Sequence, residues 1–90
     1  KRYEEIRVHG IVQGVGFRPF VYRLARDERL DGNVRNEGGV VMIKVAGPGE
    51  RIEAFVAALR AAPPPLARID RIERMTVAGG DRKSVALGKM

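Results

Sequence analysis

The stretch that decides the fold is Val12-Gln13-Gly14-Val15-Gly16-Phe17-Arg18-Pro19, a glycine-containing loop that leads into a proline. Before it, Ile6 and Val8 alternate with polar or charged neighbours, which predicts a half-buried strand over residues 4–12 that ends near Gly10. After it, apolar residues recur at helical spacing, and proline suits the first helical position because its φ is already fixed there. We therefore expect a helix that starts just after Arg18 and runs to about Leu30.

The middle of the chain predicts a hairpin and a second helix. Asp31-Gly32 should end the first helix, and residues 33–36 and 40–46 flank Glu37-Gly38-Gly39, a turn whose glycines tolerate positive φ. After Gly47-Pro48-Gly49, apolar residues fall at i, i+3, i+4 and i+7 of an amphipathic helix. These residues are Ile52, Phe55, Val56 and Leu59.

The end of the chain predicts one further strand with open boundaries. The three prolines at 63–65 end the second helix, since none of them donates a backbone hydrogen bond. Ile69, Ile72 and Met75 then stand three apart, a spacing that fits neither clean alternation nor a full helical stripe. A weak terminal strand is expected at 84–87.

The predicted order is β-α-β-β-α-β, which indicates an α+β fold. We expect a ferredoxin-like sandwich, with an antiparallel sheet and two helices on one face. Ninety residues suffice for one modest core, and no linker interrupts the chain, so residues 1–90 should form a single domain. Because many unrelated functions share this fold, function has to be argued from a site.

Composition excludes several chemistries. Without cysteine the chain forms no disulfide and no sulfur-ligated metal site, and it has no apolar run of the roughly 20 residues that span a bilayer. A reducing cytoplasm is the expected location. No acidic cluster or histidine pair stands at ligand spacing, so we expect neither a metal nor a cofactor. His9, the only histidine, is interpreted as a partly exposed structural residue.

The charge balance favours anionic partners. Seventeen basic and eleven acidic residues give a net charge of +6, which fits phosphates, nucleic acid or an acidic protein face equally well. Much of the excess stands in a row near the C-terminus, which we interpret as a solvated face. The row comprises Arg68, Arg71, Arg74, Arg82 and Lys83.

The glycine loop has the chemistry of an anion site. Two glycines allow successive backbone N–H groups to converge, and the following helix adds its positive end. Arg18 adds a fork of donors that fits two phosphate oxygens. On the residues alone, a tight turn with a surface arginine is an equally good interpretation, because the third glycine of a dinucleotide loop and the lysine of a P-loop are absent. The candidate phosphate-binding residues are Gln13, Gly14, Val15, Gly16, Phe17 and Arg18.

Residues 12–18 resemble the phosphate loop of the acylphosphatases, Val-Gln-Gly-Val-Gly-Phe-Arg, without a mismatch. Residues 32–36 are similar to a second family element, Gly-x-Val-x-Asn, which places Asn36 eighteen residues after Arg18. The resemblance implies hydrolysis of acyl phosphates without a cofactor. It also implies that Arg18 and Asn36 are the catalytic residues, with Arg18 and its loop holding the phosphate and Asn36 orienting the attacking water.

Two further segments, 18–21 and 64–70, resemble one subgroup: the N-terminal acylphosphatase domain of the carbamoyltransferase that helps build the cyanide ligands of nickel-iron hydrogenases. This resemblance implies carbamoyl phosphate as substrate and an origin at the N-terminus of a larger protein. The implied partners are the rest of that chain and other hydrogenase maturation proteins. One departure is Glu37, where stand-alone acylphosphatases often carry Thr or Ser.

Three alternatives stay open at this point. The chain fits a stand-alone acylphosphatase, and it fits a catalytically weak docking domain that uses the basic row after Pro65. An RNA-recognition module has the same element order but stacks bases on aromatic residues of its central strands. Residues 40–45 contain no aromatic residue, which makes this the weakest alternative.

Overall fold

A computed structural model describes residues 2–77 of the chain. The elements are β1 (Arg2–Ile11), α1 (Phe17–Asp27), β2 (Asp31–Glu37), β3 (Val40–Gly47), α2 (Gly49–Ala61) and β4 (Arg68–Val77). The strand expected at 84–87 and the basic residues Arg82 and Lys83 lie outside the described residues. None of the helices within residues 2–77 is long and apolar enough to cross a membrane.

The strands form one antiparallel sheet in the order β2-β3-β1-β4. Ile6 of β1 and Val34 of β2 both pair with Ile43 of β3, so these three side chains share a face. They form one buried cluster with the apolar sides of both helices. The ferredoxin-like sandwich predicted from the element order is therefore confirmed.

Helix α2 agrees with its prediction in position and in packing. Ile52, Phe55, Val56 and Leu59 are its buried residues, and each of them is at most 4% exposed. Full burial of four such side chains contributes roughly 6–12 kcal/mol of transfer free energy, before the entropy of ordering them is subtracted. This stripe fixes α2 on the sheet.

Helix α1 begins and ends earlier than predicted. Gly16 precedes it in the left-handed region, at φ 77°, so the first helical residue is Phe17 and Pro19 is the third. A proline is tolerated there because the N–H groups of the first turn have no partner within the helix. At the other end, Leu30 N–H donates to the Ala25 carbonyl (2.9 Å), and Arg29 N–H donates to the Arg26 carbonyl (3.0 Å). This Schellman-type closure ends the helix before Leu30.

A β-bulge explains the irregular apolar spacing in β4. His9 pairs with Arg71 and Gly10 pairs with Ile69, so Asp70 is an extra residue in the ladder. Because of this extra residue, Ile69 and Ile72 both pack against the core although they stand three apart. The two strands approach so closely here that a Cβ on Gly10 would lie 2.1 Å from the Arg68 carbonyl oxygen.

The described members of the basic row are exposed, as predicted, but Arg74 also makes contacts that hold the fold together. Arg74 lies opposite Ile6 on the helix side of the sheet, where Nη2 donates to Glu4 Oε1 (3.1 Å) and to Glu53 Oε2 (2.7 Å). Glu4 is only 2% exposed. These contacts raise the pKa of the Arg74 guanidinium and lower that of the Glu53 carboxyl. Arg74 therefore joins β4 to β1 and α2 with a side chain that is 28% exposed, whereas the Arg68 side chain is 68% exposed.

Candidate functional site

A cavity of about 140 Å³ lies where β1 leads into α1. It has room for several water molecules, and therefore for a phosphoryl group. The cavity brings together Arg18 and Asn36, which come from α1 and β2. Of the candidate phosphate-binding residues, Val15 alone does not line it and instead packs against the core. Within residues 2–77 the lining consists of Val12, Gln13, Gly14, Gly16, Phe17, Arg18, Pro19 and Asn36.

The loop owes its shape to two glycines in the left-handed region. Gly14 has φ 71° and Gly16 has φ 77°. A Cβ built on either residue meets no atom within 4 Å, so crowding is not the reason for glycine. The reason is the backbone, because any other L-residue is strained by about 1–2 kcal/mol in this region. Positive φ at Gly14 and Gly16, on either side of Val15, turns the loop tightly enough for its N–H groups to converge on one anion.

The start of α1 leaves its backbone donors free for a ligand. No side chain caps the helix, and its first turn contains no acidic residue. The first N–H groups of a helix have no intrahelical partner, and the helix dipole makes this end attractive to anions. Phe17 is 1% exposed and packs against Phe20 at a centroid distance of 5.6 Å. This buried contact fixes the helix start beside the loop.

The two candidate catalytic side chains make no polar contact within residues 2–77. Arg18 and Asn36 are both exposed, and neither takes part in a hydrogen bond or an ion pair with another described residue. Their hydrogen-bonding groups are therefore available to a ligand. Asn36 pairs with Val41 and has the same parity along β2 as Val34, which places it on the helix face of the sheet.

Glu37, the departure from the family pattern, lies on the opposite face from Asn36. Successive residues of a strand point to opposite faces, and Arg35 Nη2 contacts Glu37 Oε2 at 2.8 Å on that other side. Both members of this ion pair are more than half exposed. The negative charge of Glu37 is thus balanced by Arg35 and is turned away from the cavity.

His9 does not line the cavity. Its Nε2 lies 2.6 Å from Glu73 Oε1 on the outer face of the sheet, and this hydrogen bond lowers the pKa of the Glu73 carboxyl. The interpretation of His9 as a structural residue agrees with this position. Within residues 2–77, no group of three or more metal-ligating side chains lies close enough together to hold a metal ion.

Two larger hollows occur elsewhere on the sheet, but most of their charged groups already have partners. One is lined by Glu5, Arg7, Glu73, Arg74 and Met75. In it Arg7 pairs with Glu5 at 3.6 Å, and Glu73 contacts His9. In the other, Asp70 pairs with Arg68 and Arg71 pairs with Glu73. The small cavity at the loop is therefore the better anion site.

The chain is similar to known proteins over most of its length. The acylphosphatase family model matches residues 4–84. A probable carbamoyltransferase HypF from Methanocaldococcus jannaschii is 49% identical over 74 residues, which cover 82% of this chain and 10% of that protein. This chain spans about a tenth of the length of the HypF carbamoyltransferases that it matches.

Solved structures of a HypF protein and of an acylphosphatase also match the chain. Full-length HypF in a phosphate- and nucleotide-bound form superimposes with a TM-score of 0.84 at 40% identity, over 89% of this chain and 11% of that one. An acylphosphatase from Bacillus subtilis superimposes with a TM-score of 0.81 at 35% identity, over 86% of both chains.

Proposed function

The chain belongs to the acylphosphatase family, and from this premise we propose that it hydrolyses acyl phosphates, with carbamoyl phosphate as the substrate, to a carboxylate or carbamate and phosphate. One observation carries the proposal: Arg18 and Asn36 come from different elements, line the same cavity and keep their polar groups free of contacts within residues 2–77.

The loop and Arg18 bind the phosphoryl group. The backbone N–H groups of residues 14–18 and the guanidinium of Arg18 face a group that carries two negative charges before the reaction. Donors fixed in advance stabilise the charge that spreads over the phosphoryl oxygens in the transition state. The uncapped start of α1 adds its dipole to the same group.

Asn36 orients the water. A side-chain amide does not titrate at neutral pH, but its oxygen accepts a hydrogen bond from water and its NH₂ group donates one. The oriented water attacks phosphorus in line with the acyl oxygen, the phosphorus–oxygen bond to the acyl group breaks, and the carboxylate leaves. The water proton passes to a phosphoryl oxygen, so the dianion gives one carboxylate and one dihydrogen phosphate. Orientation replaces a general base.

The proposed setting is the N-terminal domain of a carbamoyltransferase in nickel-iron hydrogenase maturation, located in the cytoplasm. Support comes from the similarity to HypF proteins over about a tenth of their length. In this setting the rest of the longer chain and other maturation proteins are the partners. The domain supplies carbamate to the rest of the chain.

The deciding experiment measures phosphate release from benzoyl phosphate and carbamoyl phosphate by the purified chain without added metal. We expect Arg18→Ala to abolish both phosphate binding and hydrolysis. Asn36→Ala should lower kcat by about 100-fold or more while inorganic phosphate still binds. Arg51 is a partly exposed arginine of α2 that has no ion pair within residues 2–77 and does not line the cavity, so Arg51→Ala is the matched control and should behave as wild type. A folded wild-type chain that releases no phosphate would refute the proposal.

A further inference from the structure

The arginines of the described strands and those of α1 differ in their ion pairing. Every arginine in the described strands forms an ion pair with a carboxylate, namely Arg2, Arg7, Arg35, Arg68, Arg71 and Arg74. By contrast, the arginines of α1 and of the residues after it form no ion pair within residues 2–77. These are Arg18, Arg23, Arg26 and Arg29. Residues 17–29 contain these four arginines against the two carboxylates of Asp27 and Glu28, so α1 and its closing turn carry a net charge of +2.

These arginines share the solvent side of α1 with the rim of the cavity. Arg18, Arg23 and Arg26 are all exposed, while Val21 and Ala25 face the core. At 1.5 Å per residue, Arg23 and Arg26 stand about 8 and 12 Å along the helix from Arg18. The Arg23 guanidinium carbon lies 5.8 Å from the centre of the Phe20 ring, and this contact leaves the charge of Arg23 unbalanced.

Two features argue that this charge has a role beyond folding. The helix dipole favours a cation in the last turn, which accounts for Arg26 but not for Arg23. Arg29 occupies the left-handed closing position of α1 at φ 55°, where glycine is free of strain. A strained arginine next to unpaired ones points to a function of the charge itself.

We propose that the exposed face of α1 formed by Arg23, Arg26 and Arg29, here called the guide face, attracts dianionic acyl phosphates towards the cavity and raises the rate of their capture. The inference rests on the proposed function, since it names how the same site collects its substrate. It assigns Arg23 and Arg26 to substrate capture and not to the chemical step. A surface with an excess of positive charge beside a small site raises the local concentration of a negatively charged substrate.

The expected effect follows from Coulomb's law in water with salt screening. At 0.01 M salt the Debye length is about 30 Å, and an arginine about 10 Å from a dianion raises its local concentration by about twofold to threefold. Two arginines together then raise the local concentration of the dianion about fivefold. At 0.1 M salt, with a Debye length of about 10 Å, the pair gives about twofold, and at 1 M salt the effect is negligible.

The test compares two variants that lose the same net charge. Arg23→Gln combined with Arg26→Gln removes two positive charges from the guide face, and Arg51→Glu removes two charge units from the first turns of α2. The double variant should lower kcat/KM for benzoyl phosphate about fivefold at 0.01 M salt and about twofold at 0.1 M, and should match wild type at 1 M. Its kcat should be unchanged, and Arg51→Glu should behave as wild type.

Several results would overturn the inference: an unchanged kcat/KM at low salt, a loss that persists at 1 M salt, a loss confined to kcat, or an equal loss in Arg51→Glu. The dissociation constant of inorganic phosphate at pH 8, followed by NMR of the loop amides, provides a readout without catalysis. If wild type binds phosphate but hydrolyses nothing, the proposed function fails. The guide face is then judged by whether the double variant weakens phosphate binding with the same salt dependence.

Discussion

Replacing Gly16 with alanine tests the link between the left-handed backbone of the loop and phosphate binding. Gly16 stands at φ 77° immediately before α1, and a Cβ there meets no atom within 4 Å. The variant therefore introduces backbone strain without a clash. It either keeps the left-handed conformation under strain, or leaves it and rotates the amide of Phe17 away from the cavity.

The expected loss of stability in Gly16→Ala has two parts. Without ligand, alanine in the left-handed region costs about 1 kcal/mol of the free energy of unfolding. With phosphate at a hundred times its dissociation constant, wild type gains about 2.7 kcal/mol, because the ligand binds only the folded state. A Gly16→Ala loop that no longer binds gains nothing. The difference in stability should therefore widen from about 1 to about 3–4 kcal/mol when phosphate is added.

Urea denaturation with and without phosphate, at constant ionic strength held with chloride, measures both parts. Gly39→Ala is the matched control, because Gly39 also has a positive φ (86°) and an open Cβ position but does not line the cavity. Its stability difference from wild type should stay at about 1 kcal/mol in both buffers. A constant difference for Gly16→Ala as well would refute the assignment of the loop as the phosphate site.

Three further predictions concern the scaffold. Glu4→Gln should lower the free energy of unfolding by about 2–3 kcal/mol, because it breaks the ion pair between the buried Glu4 carboxylate and the partly exposed Arg74. Phosphate binding should not weaken, and unchanged urea denaturation would contradict the prediction. The hydrogen bond from His9 lowers the pKa of the Glu73 carboxyl in the folded state. The stability that this bond gives the protein is therefore complete above the unfolded-state pKa of about 4.3, and it is lost as pH falls through the lower folded-state pKa. Urea midpoints between pH 6 and 2 should therefore fall less steeply for Glu73→Gln than for wild type, and parallel curves would contradict the pairing. Arg29→Gly should be more stable than Arg29→Ala by about 1 kcal/mol in thermal unfolding, because both lose the charge but only glycine removes the strain; equal stability would place Arg29 outside the left-handed region.

Local patterns in the sequence were sufficient where one periodicity governs packing. The stripe from Ile52 to Leu59 predicted α2, and the glycines after Glu37 predicted the hairpin that the structure contains. The start of α1 was misplaced because a proline is most typical of the first helical position, whereas the left-handed Gly16 sets the boundary here. The sequence did not explain the irregular spacing of the apolar residues in β4, because that spacing depends on the bulge opposite Gly10.

The contacts that sequence analysis missed join residues far apart along the chain. Glu4 and Arg74 stand 70 residues apart, and no local pattern marks an ion pair at that separation. Only the topology, which places β4 beside β1, brings them together. The candidate site was found because seven adjacent residues resemble a known loop. The resemblance also indicated Asn36, but its position in the cavity became visible only once β2 was placed in the sheet.

The placement of the cavity has a consequence for dividing the chain. Every described residue that lines it lies within residues 12–36, so a cut at Pro48 would leave this whole lining on one fragment. The other fragment would carry Ile52, Phe55 and the remaining apolar residues of α2 that complete the core. Neither fragment would contain a full core, and the two would have to associate before the loop took its shape. If each fragment were fused to a different protein, phosphate binding would then report that the two proteins had met.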